Sequence, residues 1–288
     1  MKPAPFDYCA PATVAEAIEA LGSDESSRVL AGGQSLIPTM NFRLTDISLL
    51  VDIGNVAGLD AIDADDSGVR VGATATQSRV LNDDAAAVAV PGLRAALAHV
   101  GHLAIRNRGT VCGSIAHADP AAELPALAVA TDAVITIAGP DGTRRVDAAD
   151  FYLGPFWTAL ADGELVTEVR FGASRAGSVT VVDEISRRAG DFALAGLVAI
   201  FDTDSGSVRS ARLVGFGIGS VPKRLAAAEA AISGWAADHP DGGLFDAAIE
   251  DAAGALDDIH ASGRYRREVL AAMVVRAARD VLAQPESR

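Results

Sequence analysis

One stretch limits the fold more than any other. Arg28-Val29-Leu30-Ala31 is expected to form a short buried strand, Gly32-Gly33 breaks it, Gln34-Ser35-Leu36 follows, and Thr39 to Leu44 is patterned as helix. A strand that ends at paired glycines and restarts as a helix has one recurrent use. The missing Cβ atoms let a ligand approach the backbone, and the free N–H groups hold an anion. Gln34 and Ser35 add side-chain donors. An ordinary strand-to-helix turn has the same spacing, so this stretch alone leaves both readings open.

A second stretch has the same ingredients. Residues 105–125 read Ile-Arg-Asn-Arg-Gly-Thr-Val-Cys-Gly-Ser-Ile-Ala-His-Ala-Asp-Pro-Ala-Ala-Glu-Leu-Pro. A hydroxyl residue and glycines lie in a loop, a small polar residue follows, and acidic residues precede a helix. Further on, Ser186-Arg187-Arg188-Ala189-Gly190-Asp191-Phe192 forms a polar segment at a strand end.

These three segments, in this order, resemble the FAD-binding subunit of the molybdenum hydroxylases, the family of carbon monoxide dehydrogenase, quinoline and nicotine dehydrogenases and the flavin domain of xanthine dehydrogenase. The resemblance covers essentially the whole chain. It implies an α+β fold: a two-lobed FAD-binding domain of the PCMH/vanillyl-alcohol-oxidase type, then a small α+β domain with a three-stranded antiparallel sheet and helices. The expected boundaries are 1–56 and 57–175 for the two lobes and 176–288 for the C-terminal domain.

The family's first diphosphate loop maps onto Ala31, Gly32, Gly33, Gln34, Ser35 and Leu36. The second maps onto Thr110, Gly113, Ser114 and Ile115. Glu123 matches the acidic residue that bonds ribityl or ribose hydroxyls. Read without the family, Glu123 is a first-turn carboxylate favoured by the helix dipole. Cys112 stands where the family usually has a second glycine, and its side chain either narrows the loop or simply packs. In relatives the 186–192 loop lies near the isoalloxazine. The xanthine dehydrogenase lysine of this region is replaced here by Asp183, so no lysine–flavin contact carries over.

Composition removes several function classes. A net charge of −14 over 288 residues argues against nucleic acid, since phosphate neutralisation needs clustered cations. It also means that an anionic cofactor must be held by local N–H groups and not by a diffuse positive field. The start, Met1 to Pro11, has no apolar signal-peptide core, and no stretch has the apolar length of a membrane span. Cys9 and Cys112 form no disulfide or metal pattern and are too few for an iron–sulfur cluster, so a reducing cytoplasm is the expectation.

The remaining pattern is conventional. Thr13-Val14-Ala15-Glu16 is a capping box opening a helix with Val14, Ala17, Ile18 and Leu21 on one face and Gly22 at its end. Strands are expected at 48–53, 59–62, 69–73, 133–138, 164–171, 179–185, 194–201 and 208–216. Helices are expected at 74–81, 91–100, 120–131, 222–236, 244–256 and 264–283. Phe151, Tyr152, Phe156 and Trp157 form an aromatic run read as a lid, a docking surface or buried packing. His117, Asp119 and Glu123 have poor spacing for a metal. Gly215-Phe216-Gly217-Ile218-Gly219-Ser220 mimics a dinucleotide fingerprint but lacks its last glycine and follows an antiparallel strand, so it reads as a packing turn.

The resemblance further implies non-covalent FAD on this chain and no catalytic side chain. It puts a molybdenum cofactor on a large partner subunit and 2Fe–2S clusters on a small one, in a dimer of heterotrimers that serves an external electron acceptor. A stand-alone FAD-dependent oxidoreductase and a non-redox binding module remain alternatives at this level.

Overall fold

The computed structural model describes residues 2–236, 238–239 and 241–283. Residue 1 and residues 284–288, the outer ends of the expected first and last segments, lie outside them. The chain builds three main sheets in succession.

The first sheet is parallel, in the order β1 (Asp7–Cys9), β3 (Leu49–Asp52), β2 (Ser27–Leu30). Helix α1 (Val14–Leu21) joins β1 to β2 and carries the expected capping box. Thr13 Oγ1 accepts from Glu16 N at 3.2 Å, and the Glu16 carboxylate accepts from Thr13 N at 3.2 Å. Such a cap stabilises a helix by about 1 kcal/mol. Helix α2 (Leu36–Asn41) joins β2 to β3 and completes a β-α-β unit. Met40, Ile47 and Leu50 are buried together against Leu30, Leu36 and Ile37, which pins α2 to the sheet and fixes where its N-terminus points.

The second sheet is antiparallel, in the order β4 (Ile62–Asp65), β5 (Gly68–Gly72), β10 (Leu165–Gly172), β6 (Val134–Gly139), β7 (Gly142–Asp147). The strand expected at 59–62 begins at Ile62 instead. Asp65 Oδ1 accepts from Ser67 N at 2.8 Å, and this tight turn extends the hairpin to Asp65. Between β5 and β6 run α3 (Gln77–Leu81), α4 (Asp84–Ala89), α5 (Pro91–His99), α6 (Leu103–Arg106), α7 (Val111–His117) and α8 (Glu123–Ala130).

Helix α8 starts three residues later than expected from Pro120. Asp119 Oδ1 accepts from Ala121 N at 2.9 Å and holds Pro120–Ala122 as a turn. Every residue of α8 is buried, because it packs against α5 on one side and the third sheet on the other. After β7 come α9 (Ala148–Phe151) and a small hairpin, β8 (Tyr152–Gly154) with β9 (Trp157–Thr158). The aromatic run is thereby split. Phe151 and Tyr152 are buried, while Phe156 and Trp157 are exposed.

The third sheet contains β11 (Val179–Ser186), β12 (Ala193–Asp204) and β13 (Ser207–Phe216), as expected. It is five-stranded and not three-stranded, because β14 (Lys223–Arg224) and β15 (Trp235–Ala236) both pair with β13. The helix expected at 222–236 shortens to α10 (Ala226–Ile232), since its flanks are taken up by those strands. Gly234, at φ +77°, turns the chain so that Trp235 is buried. Helices α11 (Gly242–Asp251) and α12 (Gly263–Ala283) complete the chain. Strand alternation explains the double-sided burial of this sheet. Leu197, Ala199 and Phe201 face Leu270 and Val274 in a C-terminal core, while Val198, Val214 and Phe216 join the main core around α5 and α8.

Candidate functional site

A cavity of about 570 Å³ opens where the β2–α2 turn, the α6–α8 segment and the β11–β12 loop converge. Its floor is two loops in backbone contact. A Cβ built on Gly32 would lie 2.3 Å from the carbonyl oxygen of Arg108 and 2.7 Å from Gly109 Cα, so only glycine permits this approach. Gly33 follows at φ +70° and turns the chain into α2. Ser35 gives α2 no side-chain cap, and the N–H groups of Gly33, Gln34, Ser35 and Leu36 have no acceptor among the described residues. They border the cavity, and the helix dipole adds to their pull on an anion. Gln34 Nε2 donates to Gly32 O at 3.0 Å and so braces the loop from within.

The second loop is held by α3. Gln77 N donates to Gly109 O at 2.8 Å, and Thr76 pairs with Thr110 in an isolated bridge. Thr110 caps α7, its hydroxyl accepting from Gly113 N at 3.0 Å. Gly113 and Ser114 line the cavity, as do Ala31 to Leu36, Thr110 and Glu123. Ile115 does not: its side chain is fully buried in the main core. Nor does Cys112, whose Sγ donates to Val71 O at 3.3 Å inside the core. Its Cβ therefore leaves the loop unnarrowed, and burial pushes its thiol well up.

Gln77 is a lining residue that sequence reasoning missed. It is buried, and its Oε1 has no partner among the described residues. The available signal was a Thr76 cap followed by a large amide at the first helical position.

Glu123 sits at the first position of α8 and lines the cavity, so the helix-terminus and ligand-contact readings apply to the same carboxyl. Burial, with Glu184 adding and His99 opposing, pushes it up to about 8. His117 and Asp119 also line the cavity. Burial holds the imidazole below and the carboxyl above their ordinary values, and the His117 ring lies 5.1 Å from that of Phe156. No group of three or more His, Cys, Asp or Glu suited to a metal occurs among the described residues.

The β11–β12 loop turns at Gly190, φ +82°, against His102, and Asp191 and Phe192 reach the cavity. Asp183 is ion-paired with Arg276 of α12. Gly217 is a packing point. Its N–H donates to Pro120 O at 2.8 Å, and its carbonyl accepts from Arg266 Nη1 at 2.7 Å.

Unpartnered N–H groups at a strand–helix turn, a second loop fused to the first by glycine, an orphaned amide oxygen and a buried carboxyl fit an extended anionic cofactor with hydroxyl groups. On this α+β scaffold they define a protein built to bind an anionic, nucleotide-like cofactor. The chain belongs to the FAD-binding family of the molybdopterin dehydrogenases. Residues 4–173 match the FAD binding domain in molybdopterin dehydrogenase, and residues 180–281 match the CO dehydrogenase flavoprotein C-terminal domain.

Among curated proteins, the chain is 36% identical to the 6-hydroxypseudooxynicotine dehydrogenase complex subunit alpha of Paenarthrobacter nicotinovorans, over 96% of this chain and 94% of that one. Among solved structures it is similar to quinoline 2-oxidoreductase from Pseudomonas putida 86, with TM-score 0.91, 35% identity and 98% of each chain covered. It is likewise similar to a carbon monoxide dehydrogenase from Hydrogenophaga pseudoflava lacking the Mo-pyranopterin moiety of the molybdenum cofactor. There the TM-score is 0.91 and the identity 32%, with 99% of this chain and 100% of that chain covered. No helix among the described residues is long and apolar enough to cross a membrane.

Proposed function

We propose that this chain is the FAD-bearing electron-transfer subunit of a multi-subunit molybdenum hydroxylase. It stands between 2Fe–2S clusters on a small partner subunit and an external electron acceptor, and substrate is oxidised at a molybdenum cofactor on a large partner subunit. The assembly is a dimer of heterotrimers. The observation that carries the FAD part of this reading is the close approach of Gly32 to Arg108–Gly109, which seats the second loop directly against the free N–H groups of the first. Residues 1–56 and 57–175 form the two lobes around FAD, and 176–288 form the C-terminal domain.

Bound FAD supplies the redox chemistry, and the protein supplies binding, orientation and electrostatics. The Gly33–Leu36 amides hold the diphosphate, Thr110 and Ser114 add hydroxyl contacts, and Glu123 bonds flavin hydroxyls. A chain of net charge −14 has no diffuse positive field for a diphosphate, so these local donors carry the binding. The match to a dehydrogenase complex subunit and to molybdenum enzymes over nearly full length supports the multi-subunit reading.

The test is a native pull-down from the source cell with metal analysis and a flavin-reduction assay. Molybdenum and iron in the captured complex, with flavin bleaching by substrate only when all three chains are present, is the expected result. Turnover of an organic substrate by the isolated chain would replace this reading with a stand-alone flavoenzyme.

A further inference from the structure

Two loops and one amide meet at Gly109. A Cβ on Gly32 would lie 2.7 Å from Gly109 Cα, and a Cβ on Gly109 itself would lie 2.8 Å from Gln77 Oε1 and 3.0 Å from Ile105 O. Glycine at 109 therefore leaves room for the Gln77 amide to lie against the second loop. Local sequence sets this placement. Thr76 caps α3, its hydroxyl accepting from Arg79 N at 3.3 Å, and makes Gln77 the first helical residue. The Gln77 N–H is one of the donors that a helix leaves free in its first turn, and it donates to Gly109 O at 2.8 Å. Val111 N donates to Ala75 O at 3.3 Å, so two bonds bracket the Thr76–Thr110 bridge.

These backbone bonds hold α3 to the second loop without help from the carboxamide. Yet the Gln77 side chain is kept in a costly place. The residue is 5% exposed, lines the cofactor cavity and leaves Oε1 without a partner among the described residues. A buried acceptor with no donor is destabilising, and an apolar side chain of the same size would avoid that cost. Donors of the surrounding loops are already taken. Arg106 Nη1 serves the carbonyls of Val100 and Gly101, Gly109 N serves Ile105 O, Gly113 N serves Thr110 Oγ1, and Gln34 Nε2 serves Gly32 O. The remaining source of a donor is the occupant of the cavity. An amide oxygen only accepts, so it does not bind an ionised phosphate, which only accepts as well. Its partner is an O–H or N–H group. FAD carries such groups on both sides of its diphosphate: ribityl hydroxyls on the flavin side, ribose hydroxyls and an amino group on the adenosine side.

We propose that Gln77 is a further FAD-binding residue, whose Oε1 accepts a hydrogen bond from a hydroxyl or amino group of the cofactor on one side of the diphosphate. The inference rests on the FAD-binding reading. It also gives Gln77 a positioning effect. The Gly33–Leu36 amides take the charge, and a phosphate displaced toward Gln77 would meet oxygen against oxygen, so the amide fixes the register of the cofactor along the cavity.

The experiment is calorimetric titration of the full-length apoprotein with FAD, FMN and ADP, for wild type, Gln77→Met and Gln77→Leu. Removing an unmet acceptor should leave the fold intact, which circular dichroism checks in both variants. FAD affinity should fall about 5- to 100-fold. Only one of the two fragments should share that fall, the other staying within about twofold of wild type, and which one it is assigns the donor to the flavin or the adenosine side. A disturbed second loop would instead weaken FMN and ADP alike, because both seat a phosphate in the same amides. Unchanged FAD affinity, or fragments weakened equally or not at all, overturns the proposal and leaves Gln77 a brace for the loop. A wild-type apoprotein that binds none of the three ligands refutes the FAD reading itself, and the inference falls with it.

Discussion

Substituting Gly32 by alanine tests the cradle at its narrowest point. The added Cβ would sit 2.3 Å from Arg108 O and 2.7 Å from Gly109 Cα, both backbone atoms that cannot rotate away. An ordinary carbon–oxygen contact of about 3.4 Å requires the two loops to part by roughly 1 Å. Hydrogen bonds to phosphate oxygens do not survive such a stretch. Losing two from this loop, at about 1.5–3 kcal/mol each for bonds to a charged group, costs about 3–6 kcal/mol of FAD binding. That weakens affinity by about 10² to 10⁴-fold. Overpacking itself should lower apoprotein stability by about 1–3 kcal/mol. The assay is fluorescence titration of the apoprotein with FAD, alongside a thermal melt without FAD. Gly254→Ala is the control, because a Cβ there meets nothing within 4 Å. A folded Gly32→Ala protein that binds FAD within about threefold of wild type would refute the two-loop cradle.

Gly33→Val places a β-branched residue at φ +70° and should abolish FAD occupancy with the fold retained, as read by the flavin spectrum and circular dichroism. Glu123 is held up at about 8 in the folded chain against an ordinary 4.5, so its stability contribution is complete below 4.5 and is lost as pH rises through 8. Urea unfolding of the apoprotein should therefore show Glu123→Gln gaining on wild type with rising pH, by up to about 1.4 kcal/mol per unit in that window; a pH-independent difference would contradict it. Acid precipitation should release all yellow colour to the supernatant, since the FAD is expected to be non-covalent, and colour retained in the pellet would show attachment. A thiol reagent should label only Cys9 in the native protein, with Cys112 reacting after denaturation, because Cys112 is 2% exposed and its thiol is pushed well up.

The sequence by itself determined what depends on near neighbours. The Thr13–Glu16 box, the glycine-broken β2–α2 turn and the alternation of β11, β12 and β13 follow from contacts or periodicities within a few residues, and the folded chain keeps them. Motif order carried the family as well, because the cofactor loops are contiguous segments. Tertiary structure decided the rest. Gly32 is required by a backbone that lies 76 positions away, and no local pattern encodes that approach. Ile115 shares a contiguous motif with Ser114, yet helix geometry turns one into the core and the other to the cavity. Strands β14 and β15 exist because β13 offers them a free ladder, which their own two residues cannot announce. Glu184 of β11 comes within 3.7 Å of His99 of α5 only when those two elements pack, because proximity through the core does not follow separation along the chain.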